Sequence, residues 1–232
     1  MSLESSVEAV IPLESNPDVF TEFGHKLGLS PLLQFCDIYS LTEPDLISFL
    51  PRPIEAVILL FPITEDYETL KDNEETLNPT NPDVVWMKQI VKNACGLYAL
   101  LHILLNIPDG YIARQSTIAL FKESLNENPD YVQLVQSIAN SMCDSFGKQG
   151  QTTAPPAGED VELHFVCFIK RNGKVYELDG RRNGPILLNT EATSGDLLSD
   201  DTVASRVQQY MELTKGENSI RFSLMGLAPS ME

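Results

Sequence analysis

Apolar and polar positions alternate along this chain in blocks, and each block carries a period. In NPDVFTEFGHKLGL (16–29), Phe20, Phe23 and Leu27 share one helical face and His25 lies opposite, which predicts a capped helix. QFCDIYSL (34–41) predicts a strand, and EPDLISFL a short helix stopped by Pro51 and Pro53. AVILLFPI (56–63) is a continuous apolar run bounded by prolines, the pattern of a strand buried on both faces. TEDYETLKDNEETLNPTNPD (64–83) is polar and acidic and predicts an exposed connection. A strongly apolar helix follows at about 93–106, ended near Pro108. STIALFKESLNE and PDYVQLVQSIANSMCDSF continue with helical periodicity. GKQGQTTAPPAGED (147–160) has no apolar period and is rich in Gly, Pro and Thr. Loops this long in compact domains are usually functional or disordered. VELHFVCFIK (161–170), KVYELDG (174–180) and GPILL (184–188) predict strands joined by RNG and GRRNG turns. SDDTVASRVQQYMEL (199–213) predicts a helix and SIRFSLMGL (219–227) a last strand. No linker divides these elements, so the expectation is one α/β (α+β) domain over 1–232, with a mainly antiparallel sheet.

Composition narrows the function. The chain is 43% hydrophobic and 21% charged, as in ordinary globular proteins. Sixteen Lys and Arg against 33 Asp and Glu give a formal charge of −17. Such a surface repels nucleic acid and anionic membranes and attracts basic partners. The four cysteines (Cys36, Cys95, Cys143, Cys167) form no CxxC pair and no zinc spacing, so no metal or cofactor is expected. The N-terminus lacks a signal-peptide pattern, and the longest apolar runs are too short to span a bilayer. Free thiols in a reducing setting imply a cytoplasmic protein, or a nuclear one.

The candidate chemistry starts at KNACGLYALLHILL (92–105). Cysteine is often a small buried hydrophobe. Yet Asn93 is a good helix N-cap, which would put Cys95 in the first turn. There free N–H groups and the helix dipole favour a thiolate. A nucleophile also needs a base and a group to orient it. His102 lies seven residues further along the same helix, about 10 Å away along the axis, which suits a core histidine with a satisfied hydrogen bond. His25 sits on a polar face and reads as solvated. His164 lies on the strand VELHFVCFIK, facing the same way as Val166 and Phe168, with Cys167 on the other face. Asp179 ends the next strand, where a hairpin could bring it to the imidazole. Taken singly, His164 also fits a sheet-edge histidine and Asp179 a turn-forming Asp-Gly. Gln89, six residues before Cys95, and the Cys95 N–H could supply donors to a developing oxyanion.

With these residues in view, the chain resembles the ubiquitin carboxyl-terminal hydrolases, papain-like cysteine proteases. PLESNPDV, LPRPIEAVILLFPIT, MKQIVKNACG, QTTAP, LHFVCFI and YELDGR carry the resemblance, from about Leu13 to Leu227. It implies Cys95 as nucleophile, His164 as general base and then acid, Asp179 as orienter and Gln89 as oxyanion donor. It further implies a papain-like, six-stranded, mostly antiparallel sheet flanked by helices on both sides, with a knotted backbone. Segment 147–160 would be a crossover loop limiting the leaving group to small adducts, peptides and flexible tails. Ubiquitin's tail carries arginines before its terminal Gly-Gly, and Glu14, Asp18 and Asp37 are the acidic contacts that the resemblance suggests. Larger family members carry a C-terminal extension absent here. A free-standing monomer without stable proteasome docking is therefore expected.

Two other readings stand beside this one. The groove could belong to a non-catalytic acidic module that binds ubiquitin, although a binder has no need of a histidine and an acid beside a thiol. Alternatively, the hydrolase could act on a ubiquitin-like protein such as Nedd8, whose tail is similar.

Overall fold

The unbroken apolar run becomes β2 (Ala56–Pro62), an interior strand covered on both faces. The structure, a computed structural model, describes residues 9–125, 131–151, 155–156, 159–191, 195–199, 201–214 and 220–231. Its other strands are β1 (Leu33–Asp37), β3 (Leu163–Arg171), β4 (Lys174–Leu178), β5 (Ile186–Asn189) and β6 (Ser223–Pro229). They form one six-stranded sheet in the order β1-β6-β2-β3-β4-β5. The expectation of a mostly antiparallel sheet is met in full: each neighbouring pair is antiparallel.

Helices cover both faces. On one side, α1 (Pro17–Leu27), α4 (Cys95–Asn106), α5 (Thr117–Ser124) and α6 (Tyr131–Ile138) pack on Ala56, Ile58, Phe165, Cys167 and Ile169. On the other, α3 (Glu65–Asn73) and α8 (Thr202–Glu212) give Tyr67, Val203, Val207 and Tyr210 to a core with Val57, Leu59, Phe61, Val166 and Phe168. The two sets alternate along β2 and β3, as the period of two requires. Two shorter α-helices, α2 (Pro44–Ser48) and α7 (Asp144–Gly147), a 3-10 turn at Asp109–Tyr111 and a π-helical turn at Ala139–Cys143 are the other helical elements described.

Helix α4 is the centre of the first core. All twelve of its residues are buried, which explains why its sequence shows no polar stripe. Its two polar interior residues hold the segment that leads to Gln89. The Asn106 side chain accepts from Val85 N–H and donates to Val85 O, both at 2.8 Å. The Met87 N–H donates to His102 Nε2 at 3.0 Å. Burial lowers the His102 pKa to about 4, so the ring stays neutral and can accept that bond. The core-histidine reading of His102 therefore holds.

Three local expectations are corrected. Segment 64–83 is not simply an exposed connection, because its first half is α3. Thr64 caps this helix by accepting from Tyr67 N–H at 3.1 Å, and three acids occupy its first turn. Asn93 is not the N-cap of α4; that residue is Ala94, which makes no side-chain cap. Asn93 instead takes a left-handed conformation (φ 63°), and its side chain donates to Glu159 O at 2.9 Å. Cys95 is still the first helical residue. His25, although exposed, is more than solvated: its Nε2–H donates to Leu33 O at 2.9 Å.

A buried charge cluster fixes α8 to β4. Glu177 is fully enclosed, and its carboxylate accepts from Arg206 Nε at 2.5 Å and Tyr210 O–H at 2.6 Å. Arg206 also reaches Glu74 at 2.7 Å, and Arg182 lies 3.3 Å from Glu177. Removing one partner from a buried pair leaves a charge without compensation. Arg206→Ala is therefore expected to lower the unfolding free energy by about 3 kcal/mol in urea titration. A loss below about 0.5 kcal/mol would show that Arg182 carries the pairing alone.

Candidate active site

The start of α4 meets the start of β3, and that crossing brings Cys95 to His164. Both are enclosed, Cys95 at 8% exposure and His164 at 2%. His164 Nε2–H donates to Asp179 Oδ1 at 2.7 Å, which leaves the opposite ring nitrogen for the cysteine. His164 and the backbone N–H groups of Phe165 and Gly96 are the neighbours that act on the Cys95 thiol. Cys95, His164 and Asp179 thus come together from a helix start, a strand and the turn after a strand.

The electrostatics follow from these contacts. Burial alone would raise the Cys95 thiol, but the His164 bond and charge and the two N–H groups outweigh it and bring the pKa below the usual value. Burial would likewise lower the His164 pKa; the Asp179 carboxylate and the cysteine reverse this and raise it to about 9. Asp179 is fully enclosed, which opposes ionisation, yet the histidine and the donors around it hold its carboxyl well below the ordinary range. Both shifts act towards a thiolate beside an imidazolium. Cys167 makes the contrast: burial first, then the charges of Glu177 and Asp179, push its thiol well up.

Gln89 stands beside the acid. Its backbone N–H donates to Gly180 O at 2.8 Å. A side chain at 180 would bring its Cβ within 2.9 Å of Gln89 Cβ, so the glycine permits the approach. One amide hydrogen of Gln89 Nε2 is directed at Val91 O, at 3.1 Å, and the second remains for another acceptor.

Several residues at the site carried no signal in the sequence reading. Tyr67 O–H donates to Asp179 Oδ2 at 2.7 Å, and Arg181 N–H to Asp179 Oδ1 at 2.8 Å. Trp86 Nε1–H donates to Asp179 O at 3.0 Å. Lys88 Nζ donates to Arg181 O at 2.9 Å and Arg182 O at 2.6 Å, closing the turn after the acid.

Cys95 opens on a cleft of about 380 Å³, with Leu13, Leu60 and Phe165 among its apolar lining. Glu14, Gly147, Pro155 and Val161 also border it. The described ends of segment 147–160 are tied down on either side: Gln151 N–H donates to Glu14 Oε1 at 3.2 Å, and Lys92 pairs with Asp160 at 2.8 Å. Thr152, Thr153, Ala154, Ala157 and Gly158 lie outside the described residues.

The three acidic candidates are separated. Glu14 is at the cleft, whereas Asp18 is exposed in the first turn of α1. Asp37 lines a larger groove of about 1070 Å³ and accepts from Tyr39 O–H at 3.3 Å. Groove and cleft share Ser223, whose hydroxyl accepts from Ser15 at 2.9 Å. Among the described residues, no group of three His, Cys, Asp or Glu is placed to hold a metal ion. No described helix is long and apolar enough to cross a membrane.

Comparison with known proteins agrees with this geometry. The sequence pattern of the family Ubiquitin carboxyl-terminal hydrolase, family 1, matches residues 10–212. The chain is 41% identical to ubiquitin carboxyl-terminal hydrolase YUH1 of Saccharomyces cerevisiae, over 97% of this chain and 98% of that one. It is 32% identical to ubiquitin carboxyl-terminal hydrolase isozyme L1 of Rattus norvegicus, over 93% and 96%. Its fold is similar to the crystal structure of the Trichinella spiralis UCH37 catalytic domain bound to ubiquitin vinyl methyl ester. That match has a TM-score of 0.73 at 29% identity, over 95% of this chain and 96% of that one. A six-stranded α+β fold with a thiol, an imidazole and a carboxylate in series, matched along nearly its whole length, belongs to family 1 of the ubiquitin carboxyl-terminal hydrolases, the cysteine-dependent deubiquitinating enzymes.

Proposed function

We propose that this enzyme hydrolyses bonds to the C-terminal glycine of ubiquitin, with Cys95 as nucleophile, His164 as general acid and base, Asp179 as orienter and Gln89 as an oxyanion donor. One observation carries the reading: His164 is hydrogen-bonded to Asp179 and lies against Cys95, whose pKa it lowers while its own is raised.

The thiolate attacks the glycine carbonyl carbon, and the carbonyl π electrons move onto oxygen. Gln89 Nε2–H and the Cys95 backbone N–H, unpaired at the helix start, would receive that charge. When the intermediate collapses, the bond to the leaving group breaks and the leaving atom takes the proton of His164. A thioester remains. His164, now neutral, accepts a proton from water as it attacks; the second collapse frees the carboxylic acid and returns the thiolate.

Single-domain organisation over 1–232, the knotted backbone and the monomeric state belong to this same reading, which rests on the family resemblance. So does the leaving-group limit. Gly147, Pro155 and Val161 border the cleft beside Cys95, which supports a preference for small adducts, peptides and flexible tails. The position of Glu14 at the cleft supports a contact with a basic substrate tail, and Asp18 and Asp37 would then act at greater distance.

Incubation with ubiquitin bearing a C-terminal electrophile should give a single adduct on Cys95 by mass spectrometry, lost in His164→Ala. No adduct with binding retained would refute the nucleophile assignment. Gln89→Ala is expected to lower kcat by about 10²–10³ with KM little changed. Unaltered turnover would remove Gln89 from the oxyanion site. The active pair needs Cys95 deprotonated and His164 protonated, so activity should persist below the ordinary thiol pKa and fall as pH rises through about 9. Iodoacetamide at neutral pH should therefore label Cys95 ahead of Cys36 and Cys167, whose thiols are raised. Equal labelling of the three in the native protein would contradict the ion pair.

A further inference from the structure

Helix α3 lies outside the six sequence stretches that carry the family resemblance, yet it supplies a direct contact to the acid. Tyr67 is 1% exposed, and its O–H donates to Asp179 Oδ2 at 2.7 Å. The other carboxylate oxygen, Oδ1, receives both His164 Nε2–H at 2.7 Å and Arg181 N–H at 2.8 Å. A carboxylate held by one oxygen can turn about its Cβ–Cγ bond, whereas one held by both cannot. Among the described residues, the next group at Oδ2 is the Arg182 guanidinium, 3.7 Å away, beyond hydrogen-bond range.

Tyr67 is itself fixed. Its ring meets Phe61 edge-on at 4.9 Å, and the Arg181 guanidinium lies 5.5 Å from its centre. Arg181 in turn bonds at 2.5 Å to Glu68, the next residue of α3. Burial and the Asp179 charge hold the phenol far above its ordinary pKa, so it remains a donor wherever the enzyme works.

We propose that Tyr67 is a positioning residue for the hydrolysis: its hydroxyl fixes the plane of the Asp179 carboxylate so that Oδ1 stays directed at His164 Nε2. The proposal rests on the reading of Asp179 as orienter. Helix α3 is then a brace for the triad, and Arg181 joins the two from the other side.

The test compares Tyr67→Phe, Asp179→Asn and the double variant in the full chain, with ubiquitin carrying a C-terminal aminocoumarin. Phenylalanine keeps the ring and its packing, and a melting curve for each variant confirms the native fold. Tyr67→Phe is expected to lower kcat about 10-fold with KM within about twofold. The alkaline limb of its pH profile should move to lower pH, because a carboxylate free to turn stabilises the imidazolium less. In the Asp179→Asn background the same change should alter kcat by less than about twofold, since the tyrosine acts through the aspartate.

A parental kcat and limb in Tyr67→Phe, with turnover lost in Asp179→Asn, would overturn the role of Tyr67 alone. A limb displaced upward would also overturn it, since the hydroxyl would then only draw charge from a carboxylate that stays in place. Equal losses in both backgrounds would show a structural role. Normal turnover in Asp179→Asn would instead defeat the reading of Asp179 itself, and Tyr67 would have nothing to position.

Discussion

A carboxylate sealed from water is stable as an anion only where other donors replace the water, and Asp179 is sealed completely. Much of the site is built by the groups that meet this demand. The turn after β4 folds back to offer the Arg181 N–H, and Lys88 closes that turn from outside. The indole of Trp86 takes the aspartate's own carbonyl, and Gln89 is bonded to the next residue. Glu177, two residues earlier on β4, poses the same problem and is answered by Arg206 and Tyr210 of α8. Two buried acids, one on β4 and one just after it, thus hold two helices to the sheet.

Cys95 and Cys167 illustrate how little the residue type decides. Both are buried in the same core. Cys167 lies near acids and its thiol is raised, while Cys95 lies by an imidazolium and at a helix start and its thiol is lowered. Desolvation acts on both in the same direction; the sign is set by neighbours. The neighbour of Cys95 is charged because Asp179 is charged, so the state of the sulfur depends on a carboxylate it does not touch.

The elements with a clean period were legible in the sequence. The run 56–63 and the alternation in 163–169 marked the central strands, and the order of Cys95, His164 and Asp179 pointed to the thiol, imidazole and carboxylate that the fold brings together. Helix α3 was missed because it is short and buries one residue, so it has no apolar face to display. Tyr67 was missed with it, since an isolated tyrosine in an acidic stretch looks like surface. Asn93 misled because asparagine serves both as an N-cap and as a residue tolerant of positive φ, and only the backbone distinguishes the two. The resemblance suggested Glu14, Asp18 and Asp37 together as acidic contacts, yet they sit on different features of the surface. Formal charge has no direction until the chain has folded.

The strand order has a mechanical consequence. The last strand of the chain, β6, lies between β1 and β2 rather than at an edge, and is hydrogen-bonded on both sides. A pulling machine that engages the chain beyond Pro229 cannot peel a rim. It must draw an interior strand out of two ladders at once, and in doing so detach β1 from β6, its one partner among the described residues. Resistance to extraction from that end is thus concentrated at the first step, and that step also strips Ser223 from the wall of the Cys95 cleft.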